Sequence, residues 1–112
     1  MNKQYRLKKT YEIEKLVKKK ISVGNSYFAI YYNTSSEGNL KVALAVSKKI
    51  GNAVTRNHEK RILREIIRNN ISKEENLDIL IVEKKKATEL SYIQKESEIV
   101  KLFKKIKQRK EQ

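Results

Sequence analysis

The stretch from Ser47 to Asn70 constrains the fold more than any other part of this sequence. It reads SKKIGNAVTRNHEKRILREIIRNN, and a helix that follows Gly51 and Asn52 would divide its side chains into two faces, because residues advance by roughly 100° each on a helix. One face is apolar and carries Ile62, Leu63, Ile66 and Ile67. The opposite face, called the basic face below, carries Asn57, Lys60, Arg61, Arg64 and Arg68. Asn52 is the predicted N-cap, since its short side chain can accept a hydrogen bond from a free backbone N–H.

The charge on this stretch is almost entirely of one sign. From Lys48 to Arg68 there are seven Lys or Arg residues and two Glu residues, which gives a local net charge of +5. A charged helix face is often only a solvated surface, and that interpretation stays open at this point. Two observations favour anion binding instead: charges of one sign do not relieve each other by pairing, and guanidinium groups supply forked donors that fit phosphate.

The composition of the whole chain also favours a polyanionic partner. Its 112 residues fit one domain, and a hydrophobic content of 38% is enough for one modest core. The formal net charge is +14, and the sequence pI is about 10.0. Such a charge destabilises a compact chain by self-repulsion, which a polyanion would relieve. Nucleic acid is the usual partner of this kind, and an anionic membrane surface is the rival.

Several classes of protein are disfavoured by what the sequence lacks. No apolar run approaches the roughly 20 residues of a membrane-spanning helix, and the N-terminal residues lack the apolar core of a signal peptide. We therefore expect a cytoplasmic location without membrane attachment. The chain has no cysteine, and so it has neither a disulfide framework nor a thiolate metal site.

Extended and helical segments surround the basic stretch. Ser22–Asn33 is rich in strand-forming residues, with Tyr27, Ala29 and Tyr31 on one face, and Phe28, Ile30 and Tyr32 on the other. Thr34–Asn39 contains Gly38 and is compatible with a hairpin turn. Leu40–Val46 alternates between apolar and other residues, and Leu77–Val82 is apolar on both faces, which is typical of an interior strand. The helix between these two strands suggests that they form a parallel pair.

Two further helices are predicted near the ends of the chain. Near the N-terminus, Ile13, Leu16 and Val17 have i, i+3, i+4 spacing, and the simplest interpretation is that this stripe packs on the sheet. The last helix begins near Ser91, after a basic connection at Glu83–Ala87, and its inner face carries Ile99, Leu102, Phe103 and Ile106. We expect residues 1–9 and 108–112 to be flexible.

The residues offer little for catalysis by the protein alone. His58 is the one histidine in the sequence, and the carboxylates are scattered among lysines. An enzyme that cleaves RNA needs a base, an acid or a metal cluster, and no glycine-rich phosphate loop is present. We therefore interpret the chain as a binding protein rather than the catalyst.

The segment SKKIGNAVTRN, followed by KR and RE, resembles the signature of the bacterial ribonuclease P protein subunit. The resemblance covers nearly the whole chain. YRLKKTYEIEKLVKKK resembles the first helix of that family, SYFAIYY and KVALAVS its strands, and LSYIQKESEIVKLFKKI its last helix. The family pattern usually reads Arg-Asn-Arg where this chain has Arg56-Asn57-His58, and it usually carries two phenylalanines where this chain has Ile13 and Val17.

The resemblance implies a single α+β RNA-binding domain over residues 1–112. Its α-β-β-β-α-β-α order would form a two-layer sandwich with a central four-stranded mixed sheet and with helices packed on one side. This is the fold described as ribosomal protein S5 domain 2-like. It also implies that a large RNA subunit performs the chemistry with bound Mg²⁺. The protein would bind ribonuclease P RNA and the 5′ leader of precursor tRNA, and would assist removal of that leader; no protein partner is evident.

Charge and resemblance together predict the residues of two sites. The predicted RNA-binding residues are Lys48, Lys49, Asn52, Arg56, Asn57, Lys60, Arg61, Arg64 and Arg68. A cleft between the first helix and the sheet would hold the leader and would be lined by Ile13, Val17, Phe28 and Tyr31. One alternative is a ribosomal or other structural RNA-binding protein, and another is a DNA-binding module, although no helix lies close enough before the basic stretch to form a helix-turn-helix.

Overall fold

A computed structural model describes residues 10–35 and 38–110. Its three helices are α1 (Thr10–Lys19), α2 (Ala53–Asn70) and α3 (Tyr92–Lys110). Its strands are β1 (Ser22–Gly24), β2 (Phe28–Thr34), β3 (Lys41–Val46) and β4 (Leu77–Glu83), and a short 3-10 helix, Lys85–Glu89, precedes α3. This order confirms the predicted α-β-β-β-α-β-α arrangement. Residues 1–9 and 111–112, which we expected to be flexible, lie outside the described residues, whereas residues 108–110 continue α3.

The four strands form one mixed sheet in the order β1-β2-β4-β3. Strand β4 is antiparallel to β2 and parallel to β3, which confirms that its apolar residues belong to an interior strand joined to β3 by a helical crossover. The expectation of a hairpin after Thr34 was wrong. Because β4 lies between β2 and β3, the segment that joins those two strands spans a third strand instead of forming a tight turn.

The region predicted as one extended segment from Ser22 to Asn33 is in fact two strands. Strands β1 and β2 pair in antiparallel fashion around a turn at Asn25–Tyr27. The side chain of Asn25 stabilises this turn, because its Oδ1 accepts hydrogen bonds from the backbone N–H groups of Tyr27 at 2.8 Å and Phe28 at 2.9 Å. Asparagine commonly stabilises turns in this way, and Gly24-Asn25-Ser26 is the sequence signal that could have predicted the break.

The main core lies between one face of the sheet and the helices α2 and α3. Helix α2 buries Leu63, Ile66 and Ile67 there, as its apolar stripe predicts, with Ile62 partly buried beside them. The four predicted inner-face residues of α3 are also buried: Ile99, Leu102, Phe103 and Ile106. The sheet contributes alternate residues from its central strands, which include Phe28, Ile30, Ile79 and Ile81. This packing fixes α2 with its apolar side inward.

Helix α1 packs on the opposite face of the sheet. Its Leu16 is buried in a smaller cluster with Ala43 and Leu80, which alternate with the main-core residues along β3 and β4. The expectation that all helices pack on one side of the sheet therefore holds for α2 and α3 but not for α1. The physical reason is that the second face of the central strands is also apolar, and so it gains from being covered.

Candidate nucleic-acid interface

The start of α2 is fixed by two neighbouring residues of the preceding loop. Asn52 is the N-cap, as predicted, because its Oδ1 accepts a hydrogen bond from the N–H of Thr55 at 2.9 Å. Gly51 lies so close to the first turn that a Cβ atom there would be 2.9 Å from the side chain of Thr55. Glycine is therefore required at this position for the loop to approach the helix closely. The loop and the first turn of α2 thus form one well-defined structure.

The basic face of α2 points away from the main core. Asn57, Arg61 and Arg68 are exposed, and Lys60 and Arg64 are half-buried. Lys48 and Lys49, in the loop before the helix, are also exposed. The helix therefore has the two faces that its sequence predicts, with buried aliphatic residues on one side and accessible cations on the other.

Arg56 differs from the other predicted contact residues because it is half-buried near the start of α2. Its Nε is buried and has no hydrogen-bond partner among the residues that the structure describes. A buried donor without an acceptor costs free energy, about 1–3 kcal/mol for a typical group. An acceptor brought by a ligand, such as a phosphate oxygen, would remove this cost.

A second group of lysines lies at the same edge of the sheet as Lys48 and Lys49. Strands β3 and β4 are parallel and Val46 pairs with Glu83, so the residues that follow both strands leave the sheet side by side. The residues after β4 are Lys84, Lys85 and Lys86, and all three are exposed. The sequence shows that the segment after β4 is basic, but it predicts no role for that segment. The loops after β3 and β4 lie side by side only because the two strands pair in parallel, and this pairing is not visible in the local sequence.

Two of these lysines are positioned by the β1–β2 turn. The Nζ of Lys84 donates a hydrogen bond to the backbone oxygen of Asn25 at 2.5 Å. The Nζ of Lys86 lies 5.6 Å from the centre of the Tyr27 ring, which is within the range of a cation–π contact. The turn therefore holds part of this lysine group against the sheet edge.

The surface between α1 and the sheet brings together Ile13 and Tyr31, two of the four residues predicted to line a cleft. Ile13 and Tyr31 are partly buried against the cluster of Leu16, Ala43 and Leu80. Val17 follows the buried Leu16 on α1 and keeps 41% of its surface exposed. This surface therefore combines aliphatic side chains of α1 with one tyrosine ring of β2.

The assignment of Phe28 to this cleft was wrong. Phe28 is fully buried in the main core. Because side chains alternate along a strand, Phe28 and Tyr31 point to opposite faces of β2. A residue on the core side of the sheet cannot contact a ligand held on the α1 side.

Metal ions in proteins are usually held by clusters of ligand side chains. Across residues 10–35 and 38–110, no group of three or more His, Cys, Asp or Glu side chains is placed to hold a metal ion. No helix in this part of the chain is long and apolar enough to cross a membrane. What the described surface does offer is accessible cations on α2 and in the loops after β3 and β4, and a partly aromatic surface on the α1 side of the sheet.

The fold and the surface together define the class of this protein, which is a small basic α+β domain with accessible cations on one helix and on the loop before it. Comparison with known proteins makes the class specific. The model of the family described as Ribonuclease P matches residues 1–107. The ribonuclease P protein component of Mycoplasma capricolum subsp. capricolum is 40% identical over 103 residues, which cover 90% of this chain and 94% of that protein. The ribonuclease P protein component of Bacillus pumilus is 37% identical, and the match covers 94% of this chain and 90% of that protein.

Solved structures agree with the sequence comparisons. The RNase P protein of Staphylococcus aureus superposes with a TM-score of 0.84 at 32% identity, over 92% of this chain and 95% of that one. The RNase P protein of Thermotoga maritima superposes with a TM-score of 0.79 at 26% identity, over 89% and 96%. The chain therefore belongs to the ribonuclease P protein family. These matches do not favour the alternative of a ribosomal or other structural RNA-binding protein.

Proposed function

We propose that this chain works as the protein subunit of a ribonuclease P ribonucleoprotein in the cytoplasm. The basic face of α2 and the loop containing Lys48 and Lys49 bind the RNA subunit, and the surface between α1 and the sheet binds the 5′ leader of precursor tRNA. The RNA subunit performs the cleavage with bound Mg²⁺, and the protein positions the leader for removal.

The observation that carries the proposal is the division of α2 into a buried apolar face and an accessible basic face. The buried side of the helix includes Leu63 and Ile66, and so the helix cannot rotate about its axis without exposing these core side chains. The cations opposite them are thereby held in a fixed array, and the exposed lysines after β3 and β4 extend it along the sheet edge. Such an array suits a phosphate backbone, which neutralises several cations at once.

The proposed leader site uses Tyr31 as its stacking residue. Its ring is partly buried against Leu16 and Leu80, which restricts its orientation. Stacking of an unpaired base on an aromatic ring contributes about 1–3 kcal/mol. Ile13 and Val17 cannot stack as aromatic rings do, and so they would contribute apolar contact beside it.

Binding to ribonuclease P RNA tests the proposal when matched charge changes are compared. Lys60→Ala combined with Arg61→Ala removes two charges from the basic face, and Lys104→Ala combined with Lys105→Ala removes two charges from exposed positions of α3. We expect the first pair to weaken binding strongly and to make its salt dependence shallower, because it removes phosphate contacts. The second pair should change binding little. Equal losses in both pairs would show that only net charge matters and would refute the proposed interface.

A further inference from the structure

Three ionisable side chains are buried where α2, β4 and α3 meet. Glu59 is 6% exposed, Glu83 is 3% exposed and Lys95 is 4% exposed. The Nζ of Lys95 donates a hydrogen bond to Oε1 of Glu59 at 2.7 Å, which forms a buried ion pair between α3 and α2. The three residues, called the buried cluster below, thus join the RNA-binding helix to the two elements that support it.

The sequence pattern itself places these residues inside the protein. Glu59 lies four residues before the buried Leu63 of α2, and Lys95 lies four residues before the buried Ile99 of α3. Glu83 follows the buried Ile81 by two residues along β4. Each residue therefore occupies the inward position of its element, where an apolar residue would be ordinary.

The environment sets the charge state of the buried cluster. Burial raises the pKa of Glu83 to about 8, and the neighbouring carboxylate of Glu59 adds to the effect. Both carboxyl oxygens of Glu83 are buried and have no hydrogen-bond partner among the described residues. Burial alone would raise the pKa of Glu59, but the hydrogen bond from Lys95, the neighbouring Glu83 and the charge of Lys95 outweigh burial and lower it. At neutral pH the buried cluster therefore contains one cation, one anion and one neutral carboxylic acid, with no net charge.

Loss of the proton from Glu83 would give the buried cluster a net charge that no neighbouring group named here compensates. The charged groups that act on Glu83 are Glu59 from α2 and Lys95 from α3, while His58 acts on Glu59. The strand neighbours that pair with Glu83 are Phe28 and Val46, which are apolar. When the proton leaves to water, two carboxylates face one ammonium group, and the buried cluster has a net charge of −1. A buried uncompensated charge is strongly unfavourable.

We propose that Glu59, Glu83 and Lys95 form a proton-dependent positioning cluster for the RNA-binding helix. With Glu83 protonated, the buried cluster holds α2 against β4 and α3 and keeps the basic face in its binding geometry. With Glu83 ionised, repulsion between the two carboxylates loosens this packing, and affinity for RNA falls. The inference rests on the proposed role of α2 in RNA binding. Stability alone does not account for the buried cluster, because apolar residues of similar size are often as stabilising as a buried ion pair.

The test compares the pH dependence of RNA binding in the wild-type protein and in Glu83→Gln. The glutamine keeps the shape of the side chain and can donate a hydrogen bond to Glu59, but it does not titrate. Binding of the full chain to ribonuclease P RNA is measured from about pH 6.5 to about pH 8.8 at constant ionic strength. We expect wild-type affinity to fall by about three- to tenfold as the pH rises, since one coupled proton changes affinity by at most tenfold per pH unit. Glu83→Gln should change by less than about twofold over the same range.

The variant also serves as the control for other titrating groups. The N-terminal amine and the RNA are the same in both proteins, and so any pH effect that arises from them appears in both profiles. Parallel profiles would overturn the proposal. If the wild-type protein fails to bind the RNA even at pH 7, the proposed function fails together with this inference, whereas tight binding that does not depend on pH overturns this inference alone.

A direct titration keeps the proposal testable if Glu83→Gln does not fold. Carbon-13 NMR of the glutamate carboxyl groups in the wild-type protein should show one carboxyl, that of Glu83, with a midpoint near pH 8. Amide hydrogen exchange in α2, corrected for the intrinsic pH dependence of exchange, should accelerate over the same range. A midpoint for Glu83 near that of an ordinary glutamate, or no change in α2, would overturn the proposal.

Discussion

Ile66→Ala and Arg61→Ala change opposite faces of α2 and should affect different properties of the protein. Ile66 is fully buried in the main core. Truncation of a buried isoleucine to alanine costs about 2–5 kcal/mol, and full burial among the side chains of the main core places this site near the middle of that range, at about 3–4 kcal/mol. For a domain of this size, that loss corresponds to a fall in Tm of roughly 13–17 °C.

Arg61→Ala should leave folding nearly unchanged. The side chain is exposed, and alanine is a good helix former, so the change in the free energy of unfolding should stay within about 0.5 kcal/mol. RNA binding should weaken, and the slope of log K against log salt should become shallower by about 0.7–0.9 for each phosphate contact that is lost.

Urea unfolding of the free proteins and RNA titrations at several salt concentrations separate the two effects. Ile66→Ala should lower the urea midpoint without changing the slope m, because the surface exposed on unfolding is nearly the same. Under conditions where it is still folded, its RNA affinity should have the wild-type salt dependence. The reasoning is refuted if Arg61→Ala unfolds the protein, or if it leaves both RNA affinity and salt slope untouched.

Three other predictions address stability, the leader and catalysis. The raised pKa of Glu83 means that the folded protein keeps a proton that the unfolded chain releases, so its contribution is complete below about pH 4.5 and is lost as the pH rises through about 8. Relative to Glu83→Gln, wild-type stability in urea unfolding should fall by about 1.4 kcal/mol per pH unit between about pH 5.5 and 7.5; parallel stability profiles would contradict this. Tyr31→Ala should weaken the binding of precursor tRNA by about 1–3 kcal/mol in the holoenzyme and affect mature tRNA less, whereas equal weakening would exclude a leader contact. The purified protein alone should not cleave precursor tRNA, and addition of the RNA subunit with Mg²⁺ should give cleavage at the 5′ end of the mature tRNA; correct cleavage by stringently purified RNA-free protein would refute the binding role.

The properties of α2 could be predicted from the sequence because they depend on near neighbours. Helical periodicity alone separates Leu63 and Ile66 from Arg61, and the structure confirms that separation. The N-cap at Asn52 is likewise a local matter, since it requires only a short polar side chain before the first turn.

The parts that could not be predicted depend on contacts between distant residues. The alternation of side chains along β2 predicted two faces for this strand, but it did not show which helix covers each face. In the structure α1 covers the face with Tyr31, and α2 and α3 cover the face with Phe28. The buried cluster was missed for a different reason. Periodicity places Glu59 in the core, but its charge suggests a surface position, and only the presence of Lys95 from another helix reconciles the two.

The position of β4 between β2 and β3 has a consequence for the order in which the chain can fold during synthesis. Both β2 and β3 leave the ribosome before β4, yet neither pairs with the other. The β1–β2 hairpin is the one strand pair available earlier, and an isolated hairpin is marginally stable. The sheet therefore cannot be completed until Glu83 has been synthesised, and α2 emerges before β4 and α3, which complete the core beneath it. Throughout this interval the like charges of the basic stretch repel one another, which opposes premature collapse and association of the unfinished chain.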